Sequence, residues 1–175
     1  MNQNKELLIT SIEGFKLPDY NEIPNVGLYL EQTVKYINEY LKPIQDTEIT
    51  GSMISNYVKK GIVTNPVKKQ YNREQIAYLF FIAIAKSVIS MDDIKTLLIL
   101  QSKIYTPDVA FNYFQQELKN VLDYVFKVKD TIDEIGTLHS EEKMLLRNII
   151  ITVAHKVYID KCFKLLNENK KGEER

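Results

Sequence analysis

The chain has no tryptophan, one cysteine and two histidines among its 175 residues. A lone cysteine cannot close an internal disulfide. Cys162 stands at helical spacing among Val157, Tyr158, Phe163 and Leu166, where it reads as a small core hydrophobe, not a nucleophile. His139 and His155 lie far apart and keep no ligand spacing with the cysteine or a carboxylate. Glu141 and Glu142 beside His139 are explained as first-turn acids of a helix, so no metal site is expected. No glycine-rich run precedes a helix, and no serine sits in a strand–turn–helix nucleophile pattern. The expectation is therefore no enzyme, no catalytic residue and no cofactor. Six glycines and five prolines are too few for a turn-rich β fold. A bilayer span is missing too, because the longest apolar stretch, Met144 to Ala154, is short and carries Arg147 and Asn148. No signal peptide is apparent at the N-terminus, and a reducing cytoplasm is the expected location.

What is present is a hydrophobic content of 45%, enough for a packed core. A mainly α fold is expected, in three parts. Residues 1–26 hold Pro18 and Pro24 and little periodicity, and read as an extended arm with at most one turn of helix. In residues 27–103 a first helix carries Leu30, Val34, Ile37 and Leu41 on one face and ends before Pro43. Thr50 caps a second helix that Gly61 stops. Ile62 to Tyr71 is rich in β-favouring residues around Asn65-Pro66, which predicts a two-stranded wing turning at that dipeptide. Asn72 with Gln75, and Ser90 with Asp93, open two further helices as capping boxes. Residues 104–175 form a helical pair. Its first helix starts at Thr106-Pro107-Asp108 and is expected to end at Gly136. Its second opens at Ser140, is apolar round most of its circumference from Met144 to Leu166, and leaves a frayed tail from Lys170.

The formal net charge is zero, yet between Ile49 and Arg73 stand Lys59, Lys60, Lys68, Lys69 and Arg73 with no acid among them. A positive island on a neutral chain suits contact with a phosphate backbone. In the second helix Ser52, Ser55, Asn56 and Lys59 share the face opposite Ile54, Tyr57 and Val58. Their hydrogen-bonding groups suit base edges in a major groove, with Asn56 the best match for adenine. An ordinary solvated face gives the same pattern. Tyr57 and Tyr71, with Ile76, Leu79 and Phe80, are also expected to form the core joining helix, wing and following helix.

From Ile54 to Leu98 the sequence resembles the DNA-binding domain of the MerR family of bacterial transcription regulators. The family's I-R-Y-Y-E-x-x-G-L corresponds here to Ile54 through Ile62, its wing proline to Pro66, and its R-x-Y to Lys69-Gln70-Tyr71. Its F-S-L-x-E-I pattern is matched within Val88-Ile89-Ser90-Met91-Asp92-Asp93-Ile94. The chain departs from it at Ser55, Asn56 and Val58, where the family has arginine, tyrosine and glutamate, and in a longer connector between its first two helices. The phrases TGSMISNYVKKG and VKKQYNREQIA resemble more closely the uncharacterised bacterial domain-of-unknown-function family numbered 1836. These resemblances imply a MerR-like winged helix-turn-helix over 27–103. They also imply phosphate contacts from Tyr57, Lys59, Lys69, Tyr71 and Arg73.

The expected function is that of a transcription regulator binding double-stranded DNA. Helix 51–60 would read the major groove through Ser52, Ser55 and Asn56, and wing 62–73 would hold phosphates, with Lys60 and Lys68 adding charge. A homodimer through residues 106–166 is expected, since the last two helices carry more apolar positions than one antiparallel pair covers. The sequence names no effector. The alternative is an all-helical protein-interaction module that keeps the fold without binding DNA, which the serine at position 55 and the overall neutrality favour.

Overall fold

The computed structural model describes residues 2–136 and 140–173. Among these it is mainly helical: α1 (Asn2–Thr10), α2 (Leu30–Leu41), α3 (Gly51–Lys59), α4 (Arg73–Ala85), α5 (Met91–Ser102), α6 (Pro107–Val125) and α7 (Glu141–Glu173). A 3-10 turn spans Tyr20–Glu22. One small antiparallel sheet pairs β1 (Leu28–Tyr29) with β2 (Gln70–Tyr71) in the register Leu28 to Tyr71 and Tyr29 to Gln70.

The helix starts follow local chemistry. Thr50, Asn72 and Ser90 each accept the backbone N–H three residues on. Asn72 and Gln75 complete a capping box, the glutamine returning its Oε1 to Asn72 N at 2.8 Å. The end of α3 is a Schellman motif. Gly61 takes a φ of +64°, Gly61 N–H bonds Val58 O, and Ile62 N–H bonds Tyr57 O. The end of α6 differs from the expectation at Gly136. Lys127 adopts a φ of +62° and closes the same motif, with bonds from Lys127 N–H to Tyr124 O and from Val128 N–H to Asp123 O. A non-glycine cap carries no sequence signal.

Helix α4 is the centre of the molecule. Every residue from Gln75 to Ala85 except Tyr78 is buried, so α4 has no solvent face in its body. α2, α6 and α7 pack round it, and α6 with α7 forms the most extensive pairing. Phe80 makes edge contacts with Tyr36 and Tyr40 of α2 at 5.9 and 5.8 Å and meets Phe111 of α6 at 5.9 Å. Phe81 meets Phe114 edge-on at 5.2 Å. The buried side chains form one continuous core from Leu8 to Val157, so the helical pair beyond residue 104 shares it with the earlier helices.

Two further expectations are corrected. The first 26 residues are not an extended arm: α1 packs on α7, and Leu8, Ile12, Phe15, Leu17 and Ile23 are buried. Leu8, Ile12 and Phe15 keep a helical period, but it is short and runs into Pro18, and Leu17 and Ile23 fall outside it, yet each of the five finds the core. Helix α7 continues to Glu173, past the expected fraying point at Lys170, and keeps one apolar face open to solvent. Met144, Leu145, Ile159, Phe163 and Leu166 are at least half exposed, because no element among the described residues covers that face.

The α6–α7 pairing contains an ion pair buried at its carboxylate end and half-buried at its guanidinium end. Glu117 of α6 is fully buried, with Arg147 Nε of α7 2.9 Å from its Oε1. Asn120 Oδ1 accepts from Asp133 N–H and from the Lys129 ammonium, while Asn120 Nδ2 donates to Asp133 O, which fixes the loop between the helices. Burial pushes the Glu117 carboxyl up, and Arg147 pulls it back only in part. The folded chain therefore binds this proton more tightly than the unfolded chain does. The stability so gained is full below the ordinary value of 4.5 and is lost as pH rises through the folded value. Glu117→Gln removes this dependence. In urea titrations the stability of wild type relative to Glu117→Gln should fall as pH rises from about 4 to 7. A pH-independent difference would show that Glu117 ionises without penalty.

Candidate nucleic-acid interface

Helix α3 turns Ile54 and Tyr57 into the core and leaves Ser52, Ser55, Asn56, Lys59 and Lys60 exposed. Ser52, Ser55, Asn56 and Lys59 line one open depression with Leu30, Glu31 and Val34 of α2. The structure thus brings together the four residues read as a shared polar face. It also adds Glu31, an acid on the rim that no helical period within α3 could reveal.

Side chains outside α3 set its position. Asn38 of α2 grips the connector at Ile49 with both ends of its amide, donating to Ile49 O and accepting from Ile49 N–H at 2.9 Å each. Lys95 of α5 donates to Lys60 O at 3.2 Å, placing a cation at the C-terminus of α3 where the helix dipole is negative. Sequence reading missed both, since neither contact is local.

The expected two-stranded wing is smaller than predicted and turns elsewhere. The reversal is at Lys68-Lys69, not Asn65-Pro66. Val67 N–H bonds Gln70 O at 3.1 Å, and Gln70 N–H bonds Val67 O at 2.9 Å. Between them Lys68 and Lys69 adopt φ values of +50° and +66°. Positive φ at both central residues is the type I′ hairpin turn, normally occupied by Asn-Gly. The Asn-Pro cue misleads because proline cannot occupy a positive-φ site. The strand returning from this turn pairs with β1, not with residues 62–64. Gly27, with a φ of +79°, makes that approach possible, since a Cβ there would lie 3.1 Å from Gln70 Cβ. Beyond β1, Leu30 lies against Gly51, a Cβ there falling 3.2 Å from Leu30 Cδ2. The segment 28–30 therefore links the turn to the start of α3.

Gln75, buried at the start of α4, holds the outgoing limb by donating to Thr64 O at 2.8 Å and Thr64 Oγ1 at 3.1 Å. Lys68 and Lys69 are exposed.

Two expected contact residues do not face solvent as hydroxyl anchors, and a third, Arg73, is half-exposed with its donors engaged within the chain. Tyr57 and Tyr71 are each 4% exposed, and burial pushes both phenols up. They serve the core, the other role read for them. Arg73 is occupied internally. It donates from Nε to Ile23 O at 2.8 Å, from one terminal nitrogen to Asn21 Oδ1 at 3.3 Å and from the other to Asn21 O at 3.1 Å. Its guanidinium also lies over the Tyr20 ring, 5.7 Å from the centroid. These partners are about fifty residues away in sequence, so a local charge count could not separate Arg73 from the lysines. The exposed set is Ser52, Ser55, Asn56, Lys59, Lys60, Lys68 and Lys69.

His139 lies outside the described residues and His155 is exposed. Among the described residues no three His, Cys, Asp or Glu side chains gather as a metal site, and no helix is long and apolar enough to cross a membrane.

No curated protein and no solved structure shows a significant match to the chain. A family model does, over residues 18–114, a segment running from Pro18 through the lysine-tipped turn to the first half of α6. The chain belongs to the family described as domain of unknown function DUF1836.

Proposed function

We propose that the chain is a DNA-binding transcription regulator built on a MerR-like winged helix-turn-helix. In this reading α2 and α3 are the helix-turn-helix, and the Val67–Gln70 hairpin is a minimal wing. The reading head is α3, which presents Ser52, Ser55 and Asn56 to base edges. Lys59, Lys60, Lys68 and Lys69 bind phosphates.

One observation carries this reading: two lysines occupy the positive-φ positions of the turn. The left-handed conformation costs a residue with a Cβ roughly 1–2 kcal/mol. Backbone strain of this kind persists where a side chain is needed for function. Two exposed cations held at a hairpin tip suit a phosphate contact. Glu31, on the rim of the α3 depression, is the observation that favours the other reading, a protein-interaction module without DNA binding.

A homodimer fits the uncovered face of α7. The apolar positions of α6 are largely covered within the chain, which narrows the expected 106–166 interface to α7. Leu145, Ile159 and Leu166 recur at multiples of seven residues and Phe163 lies one turn from Ile159, so they form one stripe.

Replacing Lys59, Lys60, Lys68 and Lys69 by alanine should weaken binding to all duplex sequences. The slope of log affinity against log salt should fall by about 0.9 for each phosphate that the variant no longer neutralises. An unchanged slope in a filter-binding titration would remove this surface from consideration, and absence of binding by the wild type at low salt would leave the interaction module standing.

The turn offers a test in which stability and binding move oppositely. Lys68→Asn with Lys69→Gly supplies the residues a type I′ turn favours, and should raise the melting temperature while lowering DNA affinity. Loss of stability in the double variant would show that the lysines are not strained.

Light scattering reports the dimer. The wild type should show twice the 20.4 kDa of one chain, and Phe163→Glu should return it to one. A wild-type monomer at micromolar concentration would exclude a stable dimer.

A further inference from the structure

A cavity of about 220 Å³ lies between α4, α5, α6 and the first turn of α7. Phe81 and Phe114 form part of its wall in edge contact, with Leu98 and Leu146 among its other apolar lining. An apolar cavity of about 150 Å³ accepts benzene, so this one accommodates a molecule of about ten heavy atoms.

Its polar groups define what that molecule must carry. Gln101, in the last turn of α5, lines the cavity, and its Nε2 is buried without a hydrogen-bond partner. A buried amide donor left unpaired is costly, and an acceptor supplied from within the cavity would relieve it. The charged groups on the lining are already engaged. Lys143 Nζ lies over the Tyr113 ring, 4.8 Å from its centroid. The Glu142 carboxylate is held by its own backbone N–H and the Ser140 hydroxyl. The Tyr78 hydroxyl donates to Glu74 Oε1 at 3.1 Å. Among the described lining residues the charges of Lys143 and Glu142 are opposite and cancel, so the wall carries no net charge to select an ionic ligand.

We infer that this cavity is a binding site for a small, uncharged, largely apolar ring compound carrying one hydrogen-bond acceptor, which Gln101 Nε2 recognises. The site is independent of DNA binding and stands or falls by ligand binding alone.

Quinoline and naphthalene are isosteric bicycles, both uncharged at neutral pH, and only quinoline has an in-plane acceptor. Calorimetry on the full chain should show one quinoline bound per chain, and naphthalene bound more weakly by between about threefold and tenfold, the range one buried neutral hydrogen bond contributes. Gln101→Leu should lose the preference for quinoline, whose ring nitrogen is then buried without a partner. Ala110→Phe, which fills the cavity from α6, should bind neither. If that variant has lost its helical circular dichroism, the comparison at Gln101 decides alone. The inference is overturned if the wild type does not bind quinoline, if it does not distinguish the two compounds, if the preference survives Gln101→Leu, or if folded Ala110→Phe still binds.

Discussion

An apolar helix with no solvent face must be covered on every side, and α4 imposes that requirement on the whole chain. Ile76, Leu79, Phe80, Ile82, Ala83 and Ile84 are each no more than 1% exposed. No single partner helix can shield them, because one packed neighbour covers only a stripe. The cover comes from α2 on one side and α6 with α7 on others, joined through Phe80 and Phe111. Only the N-terminal turn of α4 emerges from the core, and there the chemistry changes from packing to hydrogen bonding. Asn72, Arg73 and Gln75 hold the turn-bearing loop and the segment at Asn21–Ile23. The exposed lysines and the polar face of α3 are thus carried by a scaffold whose rigidity originates in the burial of α4.

What could be read in the sequence is what is decided within four residues. Thr50, Asn72 and Ser90 mark helix starts because a cap bonds the N–H three positions away, and Gly61 marks an end because left-handed backbone favours glycine. Non-local or atypical features escaped. The pairing of Leu28 with Tyr71 joins residues with no shared pattern. The reversal at Lys68-Lys69 puts lysines where the rule expects Asn-Gly, beside an Asn-Pro that resembles a turn. Arg73 counts as a surface charge until Asn21 and Ile23 are seen beside it. For Tyr57 and Tyr71 the residues alone allowed both a core role and a contact role, and burial decides between them. Periodicity made α7 apolar round most of its circumference, but could not say which face its own chain would cover.

The two charged features of the molecule illustrate opposite regimes. Glu117 and Arg147 sit across the α6–α7 pairing where water is largely excluded, so their geometry matters and the carboxylate bears a desolvation cost. The lysines of α3 and the hairpin are in solvent, where each is individually weak and acts through summed potential. The first arrangement fixes one helix against another; the second contributes little to folding and is available for long-range attraction.

The ends of the family-matched segment meet. Tyr20 N–H donates to Asn112 Oδ1 at 2.9 Å, and Gln115 Nε2 donates to Asp19 Oδ1 at 2.8 Å, so the two limits of residues 18–114 are stitched together. The chain thus enters and leaves that segment at one place, beside the middle of α6. The segment does not close its own core: α7, which lies beyond the exit, covers part of α4, so the flanking sequence completes the fold from a single junction.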